Sequence, residues 1–269
     1  MTSIFRDRLL EGKAVLVTGA SSGIGLGMAE RFAEHGATVA LLGRNREKLD
    51  AAAAGLSARG GRVSTIAADV REYDALHSAF AVLSESAGGI DILVCGAAGN
   101  FPAPVLGMSA NGFKAVIDID LLGTFNTCRA AYEFLRKPGA SVIAISASHA
   151  QQPIPLQSHV CAAKAGVELL CRTLALEWGP AGVRVNCLTP GPTDDTEGMR
   201  RLAPTEEHRR RVIDRVPLRR LGTKDELADL ALFLSSPAAS YITGAVFYCD
   251  GGSSLTGKEI GLSEVDLKR

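Results

Sequence analysis

The stretch Thr18-Gly-Ala-Ser-Ser-Gly-Ile-Gly25 (TGASSGIG, residues 18–25) lies between the apolar, β-branched run AVLVT (14–18) and the segment GLGMAERFAEHG, where apolar residues return at helical spacing. A strand that turns through glycines directly into a helix aims backbone amides at whatever sits on the helix N-terminus, and a pyrophosphate suits that position. Gly19, Gly23 and Gly25 allow the sharp turn and the close backbone approach, and Ser21, Ser22 and Ile24 complete the loop. Glycines also serve turns for steric reasons alone. With a strand before and a helix after, the pattern specifies a dinucleotide site.

The same rhythm continues along the chain. Short, unalternating apolar runs recur at TVALL (38–42), RVSTIAA (62–68), DILVCG (91–96), SVIAIS (141–146), VRVNCL (183–188) and AVFYC (245–249). Strands covered by helices on both faces read this way, and helical patterns such as REKLDAAAAGLSARGG separate them. The expected fold is α/β: a single-domain Rossmann-like, doubly wound, seven-stranded parallel sheet with helices on both faces, spanning residues 1–269. The polar, turn-rich stretch PGPTDDTEGMRRLAPTEEHRRR (190–211) follows the sixth strand. It reads either as a solvated pair of surface helices or as a substrate lid at about residues 192–216, and its place at the carboxyl edge of the sheet favours the lid.

Lys and Arg total 29 and Asp and Glu total 29, so bulk electrostatics speaks against a nucleic-acid or membrane-surface partner. Six cysteines without a CxxC pair or a Cys/His cluster read as buried thiols in a reducing compartment rather than as disulfides or a metal site. The N-terminus has no signal-peptide run, no window approaches a membrane span, and the terminal DLKR is no SKL-type address. A cytoplasmic protein is the expectation.

At the end of the second strand, NAD sites keep an acid that grips the ribose 2′-hydroxyl. Here LLGRNREK puts Gly43 and Arg44 there, which leaves room for a 2′-phosphate and a guanidinium to bind it. NADP(H) is therefore the expected cofactor. Asp69, in AADV, can accept a bond from the adenine amino group or cap the following helix. CGAAGN (95–100) supplies small residues where backbone must pass close to the cofactor.

Taken together, TGASSGIG, the pair Asp69–Val70, GAAG at 96–99, Lys164, VRVNCLTPGP and the terminal CDGG resemble the short-chain dehydrogenase/reductase family over nearly the whole chain. The resemblance implies a nicotinamide cofactor held by the 19–25 loop, Arg44, Asp69, Val70, Ala97, Lys164, Pro190, Gly191 and Thr193. It also implies a homotetramer, formed through the helices after the fourth and fifth strands and through the last strand. The family's usual catalytic group is Asn, Ser, Tyr and Lys; by position this chain has Asp120, Ala147, Val160 and Lys164. Three of the four differ, and the tyrosine acid of ordinary carbonyl reduction is missing.

One branch of the family, the NADPH-dependent 2,4-dienoyl-CoA reductases, shares that departure. AAGNF (97–101), FKAVIDID with GTFN (113–126), QSHVCAAK, EWGPAGVRVN and PGPTDDTEGMRRL are similar to it, and its peroxisomal type carries an aspartate at the position of Asp120. The resemblance implies reduction of an acyl-CoA-type conjugated thioester in auxiliary fatty-acid β-oxidation. Hydride adds at the far end of the conjugated system, so the proton is needed near the thioester rather than where the tyrosine would stand. Asp120 is the expected acid, or orients a water that is; Lys164 binds the nicotinamide ribose and adds positive potential. His149 stands where the mitochondrial type has its thioester-binding tyrosine, and Leu122 where that type has its asparagine. Backbone amides, His149 and the ribose hydroxyl all remain open as the oxyanion donor. Asn100, Phe101 and Arg200 are expected at the substrate, and Arg201, Arg219, Arg220 and Lys258 are further candidates for CoA phosphates. A short-chain reductase of another enone or carbonyl, or a non-catalytic NADP(H)-binding protein, remains open as well.

Overall fold

A computed structural model describes residues 4–255, so Lys258 lies outside the described residues. Seven parallel strands form one sheet: β1 (Ala14–Thr18), β2 (Thr38–Gly43), β3 (Arg62–Ala67), β4 (Ile92–Cys95), β5 (Ser141–Ile145), β6 (Arg184–Pro190) and β7 (Val246–Cys249). Their spatial order is β3-β2-β1-β4-β5-β6-β7, and every pairing is parallel. All seven coincide with the runs picked out in the sequence to within one or two residues; the inner strands are buried on both faces and read as nearly continuous apolar runs, whereas the edge strands β3 and β7 are only partly buried.

The helices are α1 (Gly23–Glu34), α2 (Arg46–Ala58), α3 (Tyr73–Ala87), α4 (Ala110–Val116), α5 (Gly123–Ala131), α6 (Ser158–Trp178), α7 (Glu197–Leu202), α8 (Glu206–Asp214) and α9 (Lys224–Ser235). They cover both faces of the sheet and leave two cores. On one side, Phe80 of α3, Cys128 of α5 and Val167 and Trp178 of α6 pack on Leu16, Leu93, Val142 and Val185. On the other, Met28 and Phe32 of α1 and Leu227 and Leu232 of α9 pack on Val15, Val17, Val39 and Ile143. Thr223 and Glu226 close a capping box at the start of α9, the signal that the sequence GTKDE carries. Asp91 ties β1 to β4 at their amino ends: its carboxylate accepts from the Ala14 amide at 2.9 Å and from Lys13 Nζ at 2.9 Å.

From β1 the chain winds outward to β2 and β3 and then returns past β1 to β4, so the winding direction reverses between β1 and β4. In such a sheet the crevice beyond the carboxyl ends of those two strands is where a ligand binds. Thr18, the last residue of β1, bridges the crevice floor: its Oγ1 accepts from the Gly96 and Ala97 amides at 3.1 and 3.3 Å.

Candidate active site

The glycine loop has the shape that close backbone approach requires. Gly19 has φ +70°, and a Cβ on it would stand 2.6 Å from the Gly96 carbonyl oxygen; a Cβ on Gly25 would stand 2.7 Å from the Gly19 carbonyl. Two backbones thus touch where side chains are excluded, and the first-turn amides of α1 face the crevice mouth with no side-chain cap from Ser22. Ile24 tucks partly into the core beneath this turn. The cradle fits a dinucleotide pyrophosphate.

Around the crevice, Arg44 is exposed just past the end of β2, and among the described residues no carboxylate pairs with it. Arg46, by contrast, donates to Thr65 Oγ1 at 3.1 Å. Asp69 accepts from the Arg71 guanidinium through both oxygens, at 3.0 and 2.6 Å, and from the Arg71 amide at 3.0 Å; that bonding holds its carboxyl below the ordinary value. It does not cap α3, whose N-cap is Glu72. Val70 is buried, and its methyl sits where a Cβ on Gly123 would be, at 2.5 Å. Asn126 of α5, which the sequence reading passed over, fixes this loop by donating to the Val70 and Arg71 carbonyls at 3.1 and 3.2 Å. On the far side of the crevice, Pro190 ends β6 and Gly191 turns directly against Asp250. Thr193 is buried and donates to the Gly191 carbonyl at 2.9 Å.

Between α4 and α5 the chain takes one π-helical turn, Ile117–Leu122, and this irregular turn carries Asp120. π-turns are costly and cluster at functional positions. Asp120 is 1% exposed; its Oδ1 accepts from the Gly99 amide at 2.7 Å, and its Oδ2 lies 3.1 Å from Lys164 Nζ. The Oδ2 contact is an ion pair by distance but lacks hydrogen-bond geometry, which leaves that oxygen with an open lone pair. Lys164 is itself 6% exposed and donates to the Ile145 carbonyl at 3.0 Å, at the carboxyl end of β5. The lysine is not a solvated helical residue: α6 turns its buried face, Val160, Ala163, Lys164, Val167, Glu168 and Cys171, toward the sheet.

Val160, at the position of the family's tyrosine, packs with Val116, Ala163, Ile117 and Leu121 in a small apolar cluster. The place of the usual acid is filled by core. His149 sits on a short 3-10 turn, Ser148–Ala150, after β5. Burial, reinforced by Lys164 and His159, pushes its imidazole below the ordinary value, and its Nδ1 is buried with no hydrogen-bond partner. Phe101 stacks at a tilt on the fully buried His159, with ring centroids 4.6 Å apart, while Asn100 beside it is exposed. Tertiary folding therefore brings Asp120, Lys164 and His149 to one end of the crevice. Ser146, Gln151 and Glu168, which brace the loop carrying His149, were missed; the signal for Glu168 was a carboxylate on the buried face of an amphipathic helix.

The charged segment after β6 holds the two short helices α7 and α8, which matches the surface-pair reading in secondary structure. Arg200 pairs with Asp195 and Glu197, at 3.2 and 3.3 Å, and Arg201 pairs with Glu197 at 2.9 Å. Arg220 binds both Glu226 oxygens, and Arg219 donates to the Asp214 carbonyl at 2.6 Å. Among the described residues, neither Arg200 nor Arg201 nor Arg220 is brought against Asp120, Lys164 or His149 by a bond. The return of the segment, Pro217 to Gly222, meets Gly191 and Tyr248 to Gly252 around a cavity of about 440 Å³.

A model of the family described as enoyl-(acyl carrier protein) reductase matches residues 19–254. The chain belongs to the short-chain dehydrogenase/reductase family. It is 42% identical over 257 residues to a peroxisomal 2,4-dienoyl-CoA reductase, (3E)-enoyl-CoA-producing, of Danio rerio, covering 95% of this chain and 86% of that protein. It is 41% identical over 249 residues to a probable 2,4-dienoyl-CoA reductase, (2E)-enoyl-CoA-producing, of Bacillus subtilis, covering 91% and 98%. Among solved structures, the citronellol catabolism dehydrogenase AtuB of Pseudomonas aeruginosa superposes with a TM-score of 0.83 at 36% identity, over 94% of this chain and all of that one. All six cysteines are free thiols, and four of them, Cys95, Cys128, Cys171 and Cys187, are buried in the core. Those of Cys128 and Cys171 are pushed up by their bonds to Cys95 and Cys187 and by burial, so they behave as packing.

Proposed function

We propose that the protein is an NADPH-dependent 2,4-dienoyl-CoA reductase, an oxidoreductase acting on a conjugated enoyl thioester. The observation that carries this reading is the buried Asp120–Lys164 pair at the crevice end, together with Val160 in place of a tyrosine. The 19–25 loop would hold the pyrophosphate and Arg44 the 2′-phosphate. Asp69, Val70 and Ala97 would flank the adenosine half, and Lys164, Pro190, Gly191 and Thr193 the nicotinamide half. When bound, the nicotinamide supplies the hydride for the distal carbon of the conjugated system.

The side chains of this chain then have separate tasks. Lys164, held by Ile145 and Asp120, places a fixed positive charge beside the thioester, where negative charge gathers. His149, whose Nδ1 has no intramolecular hydrogen-bond partner, is assigned the thioester oxygen, to which an imidazole N–H donates. Asp120 serves the carbon next to the thioester in one of two ways: as the carboxylate paired with Lys164 it orients, through the open lone pair of Oδ2, the water that gives up the proton, or it first takes up a proton on Oδ2 and delivers that one itself. That placement leaves the remaining double bond at the 3-position. Asn100, Phe101 and the lid at 192–216 with Arg200 would enclose the acyl-CoA.

A homotetramer belongs to the same proposal, supported by apolar side chains left bare on the helices after β4 and β5: Leu122, Phe125, Leu169 and Leu176. We also place the protein in the cytoplasm, on its free thiols and balanced charge; co-sedimentation of the tagged full chain with peroxisomes would overturn that. Among the described residues no helix is long and apolar enough to cross a membrane. The deciding assay follows NADPH oxidation with 2,4-hexadienoyl-CoA and longer dienoyl-CoAs, repeated with NADH, with the product analysed for its double-bond position. Cofactor binding without turnover at any chain length would leave a non-catalytic NADP(H)-binding protein instead.

A further inference from the structure

One turn beyond Lys164 on α6 stands Glu168, a carboxylate that is 2% exposed. A buried carboxylate is tolerated only when its oxygens are bonded, and here both are. Ser146 Oγ donates to Oε1 at 2.8 Å, and Gln151 Nε2 donates to Oε2 at 2.7 Å. These two donors lie on either side of His149 in the chain. Gln152 is tied down separately, by its own amide to the Ser254 carbonyl and by Cys161 Sγ, which donates to the Gln152 carbonyl at 3.8 Å. The turn Ser148–Ala150 is thus clamped at both ends. The His149 ring has no comparable anchor, since its Nδ1 is buried without a partner. The clamped turn therefore sets where the His149 side chain leaves the backbone.

We propose that Glu168 is a positioning residue: by holding Ser146 and Gln151 with its two oxygens, it fixes the turn that presents His149 beside Lys164 to the substrate's thioester oxygen. The inference rests on the reading of His149 given above. Lys164 and Glu168 sit four residues apart on the same buried face of α6, so one rigid helix sets both the charge and the donor. A merely structural role is the competing account, in which α6 would stay docked through Val167, Cys171 and Leu174 whatever happened to the turn.

The groups facing these two side chains are few. His149 feels Lys164 and His159, both from α6, and its depressed titration comes first from burial. Glu168 faces Arg172 on its own helix, 3.9 Å away, Cys171 on the same helix and Tyr248 from β7, and it helps to push up the thiol of the one and the hydroxyl of the other. Opening the turn would let water reach His149 and raise its titration toward the ordinary histidine value.

The test uses the full chain as Glu168→Ala, Glu168→Gln and Gln151→Ala, the last on an exposed residue that folding tolerates. Ring-labelled histidine NMR, with His149 assigned among the five histidines by His149→Asn, reads the titration without any substrate. In Glu168→Ala and Gln151→Ala the His149 titration moves upward, and kcat with 2,4-hexadienoyl-CoA falls by roughly ten- to a hundredfold, the cost of a misplaced catalytic group. The NADPH dissociation constant stays within about twofold, because the clamp lies outside the phosphate cradle. Glu168→Gln recovers most of the loss, since the Gln151 amide can turn its oxygen toward the new amide. An unmoved His149 titration and an unmoved kcat in Glu168→Ala and Gln151→Ala overturn the proposal, as does a Glu168→Gln variant no better than Glu168→Ala. If the wild-type chain fails to reduce any dienoyl-CoA, the functional reading falls, and the NMR titration still decides whether Glu168 positions His149.

Discussion

Replacing Asp120 separates its structural work from its chemical work, because alanine and asparagine remove different things. The carboxylate satisfies the half-buried Gly99 amide at 2.7 Å and neutralises the buried Lys164 Nζ at 3.1 Å. Asp120→Ala leaves a buried ammonium and an amide donor together, and losing one partner of a buried ion pair costs about 3–5 kcal/mol. The two losses come from one carboxylate and do not add, so we take the pair figure alone. For a domain of this size about 1 kcal/mol lowers Tm by roughly 2 °C, so Asp120→Ala should melt about 6–10 °C below the wild type. Asp120→Asn keeps an oxygen for Gly99 and loses only the charge facing Lys164, for about 1–3 kcal/mol, or roughly 2–6 °C.

Turnover should behave differently from stability. Both variants lose the carboxylate that delivers the proton or orients the water that does, so both should lose about 10²- to 10⁴-fold in kcat on dienoyl-CoA while NADPH still binds within about threefold. Differential scanning calorimetry and stopped-flow NADPH oxidation read the two quantities. An Asp120→Asn enzyme with wild-type kcat would refute the role of the carboxylate in proton delivery. An Asp120→Ala enzyme with wild-type Tm would refute the buried pair as a structural element.

Three further expectations concern the cofactor, the lid and the assembly. Arg44→Ala should raise KM for NADPH by about 10- to 100-fold, one lost charge-assisted contact, and leave KM for NADH in place; equal effects on both coenzymes would remove the 2′-phosphate from the account. Asp194 and Glu226 tie down the segment from 194 to 222 by pairing with Arg209 and Arg220, whose hydrogen bonds hold both carboxyls down at about 2. A carboxylate depressed in the folded state gives its stabilisation in full above the unfolded value and loses it as pH falls through the folded one. Amide protection over residues 194–222, taken relative to the intrinsic exchange rate at each pH, should therefore hold down to about pH 4 and fall toward pH 2; because the pairs are partly exposed, salt should weaken the effect. Phe125→Asp or Leu169→Asp should shift the oligomer to smaller species in light scattering at micromolar concentration, and an unchanged mass would place the interface elsewhere.

The sequence by itself determined the sheet and the nucleotide crevice. Most of the strands are short, largely apolar runs, and the TGASSGIG turn stands next to its own strand and helix, so both signals are local and survive without tertiary information. Arg44 was legible for the same reason, being one residue past a strand end. Asp120 and Lys164 were legible as motif positions. Their pairing was not, because they lie 44 positions apart and meet only when the π-turn before α5 aims Asp120 at the buried face of α6. Asn126 holding the Val70 loop, Thr18 holding Gly96 and Ala97, and Glu168 clamping the His149 turn follow the same rule. Each is a polar side chain whose partner is supplied by a distant segment, and neither hydrophobic period nor turn chemistry encodes who that partner is. The fold was written in local patterns, whereas the crowding of Asp120, Lys164 and His149 at the crevice end was decided by packing.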